Sequence, residues 1–375
     1  MKKKYKIKIK NLVIAAAVFI AIICISIPTV NIFKLMNLGY SFKESIEICK
    51  IGIKDEILKN GYSEVIAKYA GNTQFEKQNI STYYQIDYHE YDDFLQIINN
   101  LIEKGYTNID INNISKKYNS TFVDYLIENY IKDISNYLEY DFFIAENLER
   151  YINYFNGDYK DTLIKVNIGL DKPYYEDVNV IKTYSTTLIV NKYNMLDSDF
   201  VPNELTLLDK CSTGEHYLSI DAKIAYDKLC EASLKENMNI SVNSSYRSYE
   251  SQESVYNYYY ELYGKSYVTK YVATPGYSEH QTGLALDIKS LNSNIFKNSK
   301  EYTWMIENSY KYGFILRYPE GMENLTGYSS EAWHFRYVGE DIAKYIYENQ
   351  ITYDEYYAMF IVGNFQTKVR FLKEC

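Results

Sequence analysis

The sequence is poor in several residue types, and each shortage excludes a class of protein. Its five cysteines include no CxxC pair, so a zinc site built from thiolates is not expected. Their odd number and scattered positions also argue against a small fold held together by disulfides, although a Cys211–Cys230 bridge remains open. Histidine is scarcer still, with four residues, so the surroundings of each one are informative.

Acidic residues outnumber basic residues over the chain as a whole, but not at its start. Of the 40 Lys and Arg residues, six lysines fall in residues 1–10, which contain none of the 49 acidic residues. The rest of the chain therefore carries 34 basic against 49 acidic residues, and the whole chain has a net charge of −9. A body this acidic lacks the basic surface that binds phosphate backbones. We expect no nucleic acid partner.

Charged residues are absent from a long run that follows the basic tip. Residues 12–28 are almost wholly apolar, and weakly polar residues extend the run to about residue 33. That length is close to the ~20 residues that span a bilayer, and the lysines before it predict a cytoplasmic N-terminus and an exported body. We therefore predict that residues 1–34 form a basic tip and a single-pass cell-membrane anchor, with the rest of the chain extracytoplasmic. A cleaved signal peptide is the alternative, but no convincing small-x-small cleavage site follows.

Proline is missing from residues 35–165, where apolar residues recur at helical spacing, as in residues 94–106. A short phrase recurs there around Gly39, Gly61 and Gly105, each followed by Tyr and then by Ser or Thr. A glycine after a helix, with Ser or Thr two residues later, is typical of one helix end and the next helix start. We predict an array of short helical hairpins. It would serve either as a spacer above the membrane or as a module that binds the cell wall or a protein partner.

The composition changes after residue 165. Residues 166–185 are predicted to be a linker, and the β-branched run over residues 179–193 suits a strand. From there onward, helical and strand-like segments alternate without regular βαβ spacing. This pattern predicts an α+β domain over residues 186–345, followed by a helical tail over residues 346–375.

Two short stretches of that domain combine histidine with acidic residues. They are SEHQTGLALD at residues 278–287 and EAWHFRYVG at residues 331–339. His280, Asp287 and His334 offer two imidazoles and one carboxylate, which suit a catalytic zinc site whose fourth position stays open. The first stretch alone is a weak signal, and the second stretch makes a metal centre the better interpretation.

Four further polar residues extend this interpretation. Glu331, three residues before His334, would stay off the metal and act as general base. Arg247 lies where a predicted strand gives way to a helix, and its guanidinium could bind a free C-terminal carboxylate by two parallel hydrogen bonds. Gln252 and Ser278 could reach the same ligand, although capping or surface positions are the alternative for both.

These motifs, in this order, resemble the signature segments of VanY-type D-alanyl-D-alanine carboxypeptidases. Those are zinc metallopeptidases of the group that includes lysostaphin and the hedgehog signalling domain. The resemblance covers about residues 186–345 and includes SSYRSYESQ at residues 244–252. It implies the α+β fold shared by hedgehog and the D,D-peptidases. It also implies zinc ligands His280, Asp287 and His334, general base Glu331, and substrate-binding residues Arg247, Gln252 and Ser278.

The resemblance predicts a carboxypeptidase with one Zn²⁺ per chain, and the basic tip with its apolar run adds the membrane anchor. Its expected substrate is the peptidoglycan stem peptide, from which it would remove the terminal D-alanine. L,D-carboxypeptidase activity on tetrapeptide stems is the alternative, because the same ligands would serve both reactions. A non-catalytic cell-wall-binding protein on the same scaffold is a third interpretation, against which the complete set of ligands with Glu331 and Arg247 argues.

Overall fold

The structure, a computed structural model, describes residues 29–202 and 204–362. The chain divides into two compact units, Met1–Tyr140 and Asp141–Cys375. Most of the predicted membrane anchor falls in residues 1–28 and so lies outside the described residues. Within the described ranges, no helix is both long enough and apolar enough to cross a membrane.

The first unit is built from short helices that each bury one apolar stripe. Residues 29–37 are helical, and a 3₁₀ turn spans Lys77–Asn79. The α-helices are α1 (Phe42–Ile51), α2 (Lys54–Asn60), α3 (Glu64–Tyr69), α4 (Ile80–Tyr83), α5 (Phe94–Lys104), α6 (Asn108–Lys116), α7 (Ser120–Glu128) and α8 (Ile134–Leu138). In α5, for example, Phe94, Leu95, Ile98 and Leu101 are buried at the spacing that a helix face requires.

Helix ends lie where the recurring glycine phrase predicts them. Gly105 ends α5 in the left-handed conformation, and Thr107 begins α6 in a capping box with Asp110. Ser41 caps α1 in the same way with Glu44. Each box satisfies backbone N–H groups that a helix start leaves without partners.

An uncharged cluster of one tyrosine and two asparagines connects α4 to α5. Oη of Tyr83 donates to Oδ1 of Asn99 at 2.5 Å, and Nδ2 of Asn79 donates to the same oxygen at 3.1 Å. Nδ2 of Asn99 then donates to the carbonyl of Gln74 at 2.8 Å. We call this group the Tyr83 cluster. It satisfies the polar atoms of Asn99 within an apolar interior.

The second unit contains a copy of this arrangement 68 residues further along the chain. Oη of Tyr151 donates to Oδ1 of Asn167 at 2.5 Å, and Nδ2 of Asn147 lies 3.3 Å from that oxygen. Nδ2 of Asn167 donates to the carbonyl of Phe142 at 3.0 Å. We call this group the Tyr151 cluster. A repeat of 68 residues is therefore built into these buried polar groups, whereas the glycine phrase recurs at spacings of 22 and 44 residues.

Two helices that the sequence assigns to the repeat region belong to the second unit. They are α9 (Leu148–Tyr154), preceded by a 3₁₀ turn at Ala145–Asn147, and α10 (Tyr159–Asn167). Ile164 packs against Ala358 near the C-terminus, and Nδ2 of Asn167 lies 3.3 Å from the Ala358 carbonyl. These long-range contacts place the division at residue 140, earlier than the predicted boundary at residue 165.

A four-stranded antiparallel sheet, in the order β5-β6-β8-β7, forms the centre of the second unit. Its strands are β5 (Ile240–Ser244), β6 (Ala285–Ser290), β7 (Phe314–Leu316) and β8 (His334–Tyr337). Two small sheets precede it and pair β1 (Asn179–Ile181) with β2 (Asn194–Leu196) and β3 (Leu205–Leu207) with β4 (Tyr217–Ser219). The predicted strand over residues 179–193 is thus largely wrong. Oδ1 of Asn191 accepts from the backbone of Tyr193, and this local turn replaces strand pairing.

Helices cover this sheet and share its core. They are α11 (Ile220–Lys235), α12 (Tyr249–Tyr263), α13 (Lys265–Tyr271), α14 (Lys300–Asn308), α15 (Glu323–Thr326), α16 (Glu340–Asn349) and α17 (Tyr353–Phe360). Short 3₁₀ turns lie at Glu279–Thr282, Phe296–Asn298 and Ser309–Tyr312. Tyr226 of α11 and Met305 of α14 are buried in one cluster with Phe335 of β8. A disulfide joins Cys211 to Cys230. The predicted mixture of helix and sheet is confirmed.

The last described helix is part of the domain interior, although the sequence predicts a tail there. Tyr353 and Asp354 of α17 are buried. Tyr353 packs in one cluster with Ile189, and its hydroxyl donates to the carbonyl of Thr187 at 2.8 Å.

Candidate active site

Three of the predicted site residues meet at the centre of the four-stranded sheet. Asp287 of β6 lies directly opposite His334 of β8 in the strand register. His280 comes from the 3₁₀ turn Glu279–Thr282, immediately before β6. One ligand atom from each residue lies within 4.8 Å of the other two. Two neighbouring strands and one turn therefore build a compact set of metal donors.

Glycine is required where the turn joins β6. Gly283 has a left-handed φ of 68°. A Cβ atom there would lie 3.1 Å from the backbone nitrogen of Ser219. Any other residue would strain the backbone and push this segment away from Ser219. Gly283 thus fixes the turn that carries His280.

Both imidazole rings present one nitrogen to Asp287 and use the other elsewhere. Nδ1 of His280 donates to the carbonyl of Ser245 at 2.7 Å, which leaves Nε2 3.5 Å from Oδ2 of Asp287. In His334 the roles are reversed, because Nδ1 lies 3.3 Å from Oδ1 of Asp287 and Nε2 lies 3.3 Å from Oε2 of Glu279. The two rings are nearly perpendicular, with an interplanar angle of 86°. The donor atoms therefore converge from different directions, as metal coordination requires.

The charges at this site favour a bound cation. Burial would raise the pKa of Asp287, but His280 and His334 outweigh it and hold that pKa well below its usual range. Oδ1 of Asp287 is buried and makes no hydrogen bond to any described residue. Burial lowers the pKa of His334, yet its close contacts with the carboxylates of Asp287 and Glu279 prevail and raise it to about 9. A cation could take the place of that proton beside the carboxylate.

Glu331 lies beside the donors without belonging to them. Its Oε2 atom is 3.6 Å from Nδ1 of His334. Burial raises the pKa of Glu331 to about 7, and the nearby His334 only partly opposes this effect. A carboxyl group that titrates near neutral pH can take up a proton and release it again, which is what a general base must do.

Arg247 and its neighbours line the other part of the same cavity. Nη1 of Arg247 donates to Oε1 of Gln252 at 2.6 Å, and Nη2 donates to Oγ of Ser244 at 2.8 Å. Nε2 of Gln252 donates to the carbonyl of Ala273 at 2.7 Å. Gln252 therefore holds Arg247 through Oε1 and is itself fixed by its hydrogen bond to Ala273. Ser278 is buried beside them.

All seven predicted site residues lie on one cavity of about 640 Å³. It holds three metal donors, one carboxyl group that can carry a proton, and one guanidinium group. Their combination is that of a metal centre beside a carboxylate-binding pocket.

Comparisons with known proteins identify the family of this chain. The family model VanY: D-alanyl-D-alanine carboxypeptidase matches residues 215–340. Bacillus subtilis YodJ, which is named only provisionally as a carboxypeptidase, is 34% identical over 206 residues, covering 50% of this chain and 76% of YodJ. The chain belongs to the VanY family. The bifunctional D-Ala-D-Ala dipeptidase and carboxypeptidase VanXYC of Enterococcus gallinarum is 33% identical over 180 residues, or 46% of this chain and 94% of VanXYC.

A solved structure of VanY from a VanB-type resistance cassette, a point mutant in complex with Zn(II), is 32% identical. The match covers 46% of this chain and 98% of the VanY chain, with a TM-score of 0.41. The predicted family and the predicted class of enzyme, a carboxypeptidase, are confirmed by the family model and the curated relatives.

This VanY-family chain also buries four charged residues beside the site that sequence reasoning did not identify. We call them the Glu279 network: Glu279, Arg317, Arg336 and Asp354. Oε1 of Glu279 accepts from Nε of Arg317 at 2.8 Å and lies 3.2 Å from Nη1 of Arg336. Arg317 also donates to both carboxylate oxygens of Asp354 in α17. Burial would raise the pKa of Glu279, but the two arginines hold it well below its usual range.

The Glu279 network determines how His334 faces the site. Because an ionised carboxylate accepts from Nε2 of His334, Nδ1 is the ring nitrogen that faces Asp287. Two features of the sequence indicate part of the Glu279 network. Glu279 directly precedes His280, and Arg336 lies two residues after His334 on the same face of β8. The distant partners Arg317 and Asp354 have no such signal.

Proposed function

We propose that this chain is a zinc-dependent carboxypeptidase that removes the terminal D-alanine from peptidoglycan stem peptides. The observation that carries the proposal is the single cavity that joins the three metal donors, Glu331 and Arg247. The VanY family membership supports the same reaction and substrate class.

One Zn²⁺ would be held by Nε2 of His280, a carboxylate oxygen of Asp287 and Nδ1 of His334. The donor set fits zinc, because two imidazoles and one carboxylate leave a position open for water or substrate. When bound, the ion supplies Lewis acidity toward the scissile carbonyl and lowers the pKa of water.

Glu331 would move the protons of the reaction. Its carboxylate takes a proton from the attacking water, holds it at a carboxylate oxygen, and delivers it to the nitrogen of the departing D-alanine. Proximity to His334 and partial burial keep this group near the reacting atoms and largely away from bulk water. The bond that forms is between water oxygen and carbonyl carbon, and the bond that breaks is the peptide C–N bond.

Arg247 would recognise the free C-terminus. Two of its N–H groups are committed to Gln252 and Ser244, which fix the plane of the guanidinium. The other N–H groups can donate to a substrate carboxylate. The Ser278 hydroxyl, on the same cavity, would add a hydrogen bond. Gln252 then acts on the substrate through Arg247.

The direct experiment offers pentapeptide and tetrapeptide stems to the purified full-length chain with zinc, and identifies the products by mass spectrometry. We expect loss of one D-alanine from the pentapeptide and a much slower reaction with the tetrapeptide. Cleavage of the tetrapeptide alone would replace the D,D-assignment by an L,D-carboxypeptidase. If neither peptide is cleaved in a chelator-sensitive reaction, the proposed enzyme activity is refuted, and a protein that only binds the cell wall is favoured.

We further propose that residues 1–34 anchor the chain in the cell membrane with the catalytic unit outside. The six lysines before the apolar run support this orientation, and the Cys211–Cys230 disulfide supports an oxidising compartment. Residues 35–165 would then be a spacer or a wall-binding module. We expect the chain to stay with membranes after an alkaline wash and to be digested by protease added to spheroplasts. Release of a shortened soluble chain would indicate a cleaved signal peptide instead.

A further inference from the structure

A second cavity, of about 590 Å³, adjoins the active site on the side away from Arg247. The two cavities share Asp287, Tyr318 and Trp333 on their walls. Lys289 lines only the second cavity, and Arg247 lines only the first. Asp287, one of the three metal donors, therefore lies on the wall between two different binding spaces.

Strand register gives the order of these residues along the sheet. In the antiparallel pair β5·β6, Ser244 lies opposite Asp287 and Ser241 lies opposite Lys289. Arg247 follows Ser244 along the chain, on the side that leads away from Ser241. Asp287 is therefore located between Arg247 and Lys289 along the strand direction.

Lys289 faces the cleft together with Asp287. Alternate residues of a strand share a face, and Leu286 and Ile288, which alternate with Asp287 and Lys289, are buried in the core. Two residues of strand separate Asp287 and Lys289 by about 7 Å. The side-chain ammonium of Lys289 makes no hydrogen bond or ion pair with any residue that the structure describes. Lys297, in the same cavity, is instead paired with Glu320 at 2.6 Å.

We infer that this second cavity holds the part of the substrate upstream of the scissile bond, and that Lys289 binds a free side-chain carboxylate there. The inference rests on the proposed function, which places the C-terminus on Arg247 and the scissile carbonyl at the metal donors. The rest of the peptide then extends past Asp287 toward Lys289. An extended peptide advances about 3.3 Å per residue, so Lys289 lies beside the residue that precedes the D-Ala-D-Ala pair. The preferred substrates are stems in which that residue is a diamino dicarboxylic acid such as diaminopimelate.

The test compares two pentapeptide stems that differ at one group. One carries diaminopimelate before D-Ala-D-Ala, and the other carries the same residue with its side-chain carboxyl amidated. We expect the zinc-loaded full-length chain to cleave the free carboxylate with a kcat/KM about five- to tenfold higher, because the ammonium–carboxylate contact is charge-assisted. Lys289→Gln should remove this preference while leaving the amidated peptide unaffected. Lys289→Glu should reverse it. Lys344→Gln, at an exposed lysine of α16, is the matched control.

The outcomes separate this inference from the proposed function. If the wild-type chain cleaves both peptides equally, the subsite is wrong and the carboxypeptidase stands. If Lys289→Gln slows cleavage of both peptides to the same extent, Lys289 does not bind the side-chain carboxylate and the inference also fails. If the wild-type chain cleaves neither peptide, the proposed function itself fails.

Discussion

Each unit contains a buried tyrosine–asparagine cluster, and the second unit also buries a charged network of the opposite kind. The Tyr83 cluster, in the first unit, contains only hydroxyl and amide groups, whereas the Glu279 network, in the second, contains four charged groups. Uncharged polar groups that hydrogen-bond to one another can be buried at little cost in free energy, and they fix how two helices pack. Burying charges costs much more, and such pairs often stabilise a protein no better than apolar residues would. The difference indicates that the second unit retains its charges to orient His334.

The largest expected effect is a loss of turnover, which should result only from changes at the charged active site. Glu331→Gln removes the proton carrier but not a metal donor. Turnover of the pentapeptide should fall by about a thousandfold, within the range that general acid–base catalysis contributes. Bound zinc, measured by elemental analysis, should remain at one per chain. Near-normal turnover would show that another group moves the proton.

Arg247→Ala tests the recognition of the C-terminus. The variant leaves the substrate carboxylate without its partner, so kcat/KM should fall by about a hundredfold. The wild-type chain should prefer a free C-terminus over a C-terminal amide, and the variant should treat the two peptides nearly alike. Equal cleavage of both peptides by the wild-type chain would contradict this assignment.

Glu279→Gln breaks the charged network while keeping its shape. The neutral amide holds the His334 ring less firmly, so zinc should bind about 10- to 100-fold more weakly, as expected for partners of metal ligands. A chelator competition titration of the metal-free chain measures this affinity.

Glu301→Gln is the matched control for that experiment. Glu301 is also a buried carboxylate, and it accepts from Ser290 at 3.0 Å and from Asn292 at 2.7 Å. Its variant should lower the unfolding temperature without changing the zinc affinity. If Glu279→Gln behaved in the same way, the Glu279 network would be purely structural.

The smallest effects are expected in the uncharged clusters. Tyr83→Phe deletes one hydroxyl and leaves Asn99 one donor short, which should lower the free energy of unfolding by about 1–2 kcal/mol. Tyr151→Phe should have a similar effect on the second unit. Urea denaturation followed by circular dichroism measures both, and kcat/KM should stay unchanged for Tyr83→Phe. A tenfold fall in its kcat/KM would contradict the division between structural and functional clusters.

The candidate site was more predictable from sequence than the structure around it. His280, Asp287, Glu331 and His334 lie within two short motifs, so spacing and residue type alone bring them into one hypothesis. The partners of those residues come from distant segments. Arg317 and Asp354 are 37 residues apart, and no local pattern connects a buried arginine to an aspartate on a later helix. The same reason explains why α17 was predicted to be a tail.

The predicted strand over residues 179–193 failed for a different reason. Its β-branched residues favour extended backbone, but propensity does not supply a strand to pair with. Asn191 and Asn194 instead close a turn through each other's backbone groups, and only Asn179–Ile181 finds a partner in β2. Hydrogen bonds from nearby backbone groups to the Asn191 side chain favour a turn over the weak β-strand preference of this segment.

The position of Asp354 has a consequence for how the enzyme is made. A ribosome delivers residues in order, so Glu279, Arg317 and Arg336 all emerge before the carboxylate that completes their charge balance. Until α17 has followed, Arg317 lacks one of its two acidic partners, and the interior beneath His334 cannot close. The charged interior beside the site can therefore be completed only after Asp354 has been synthesised.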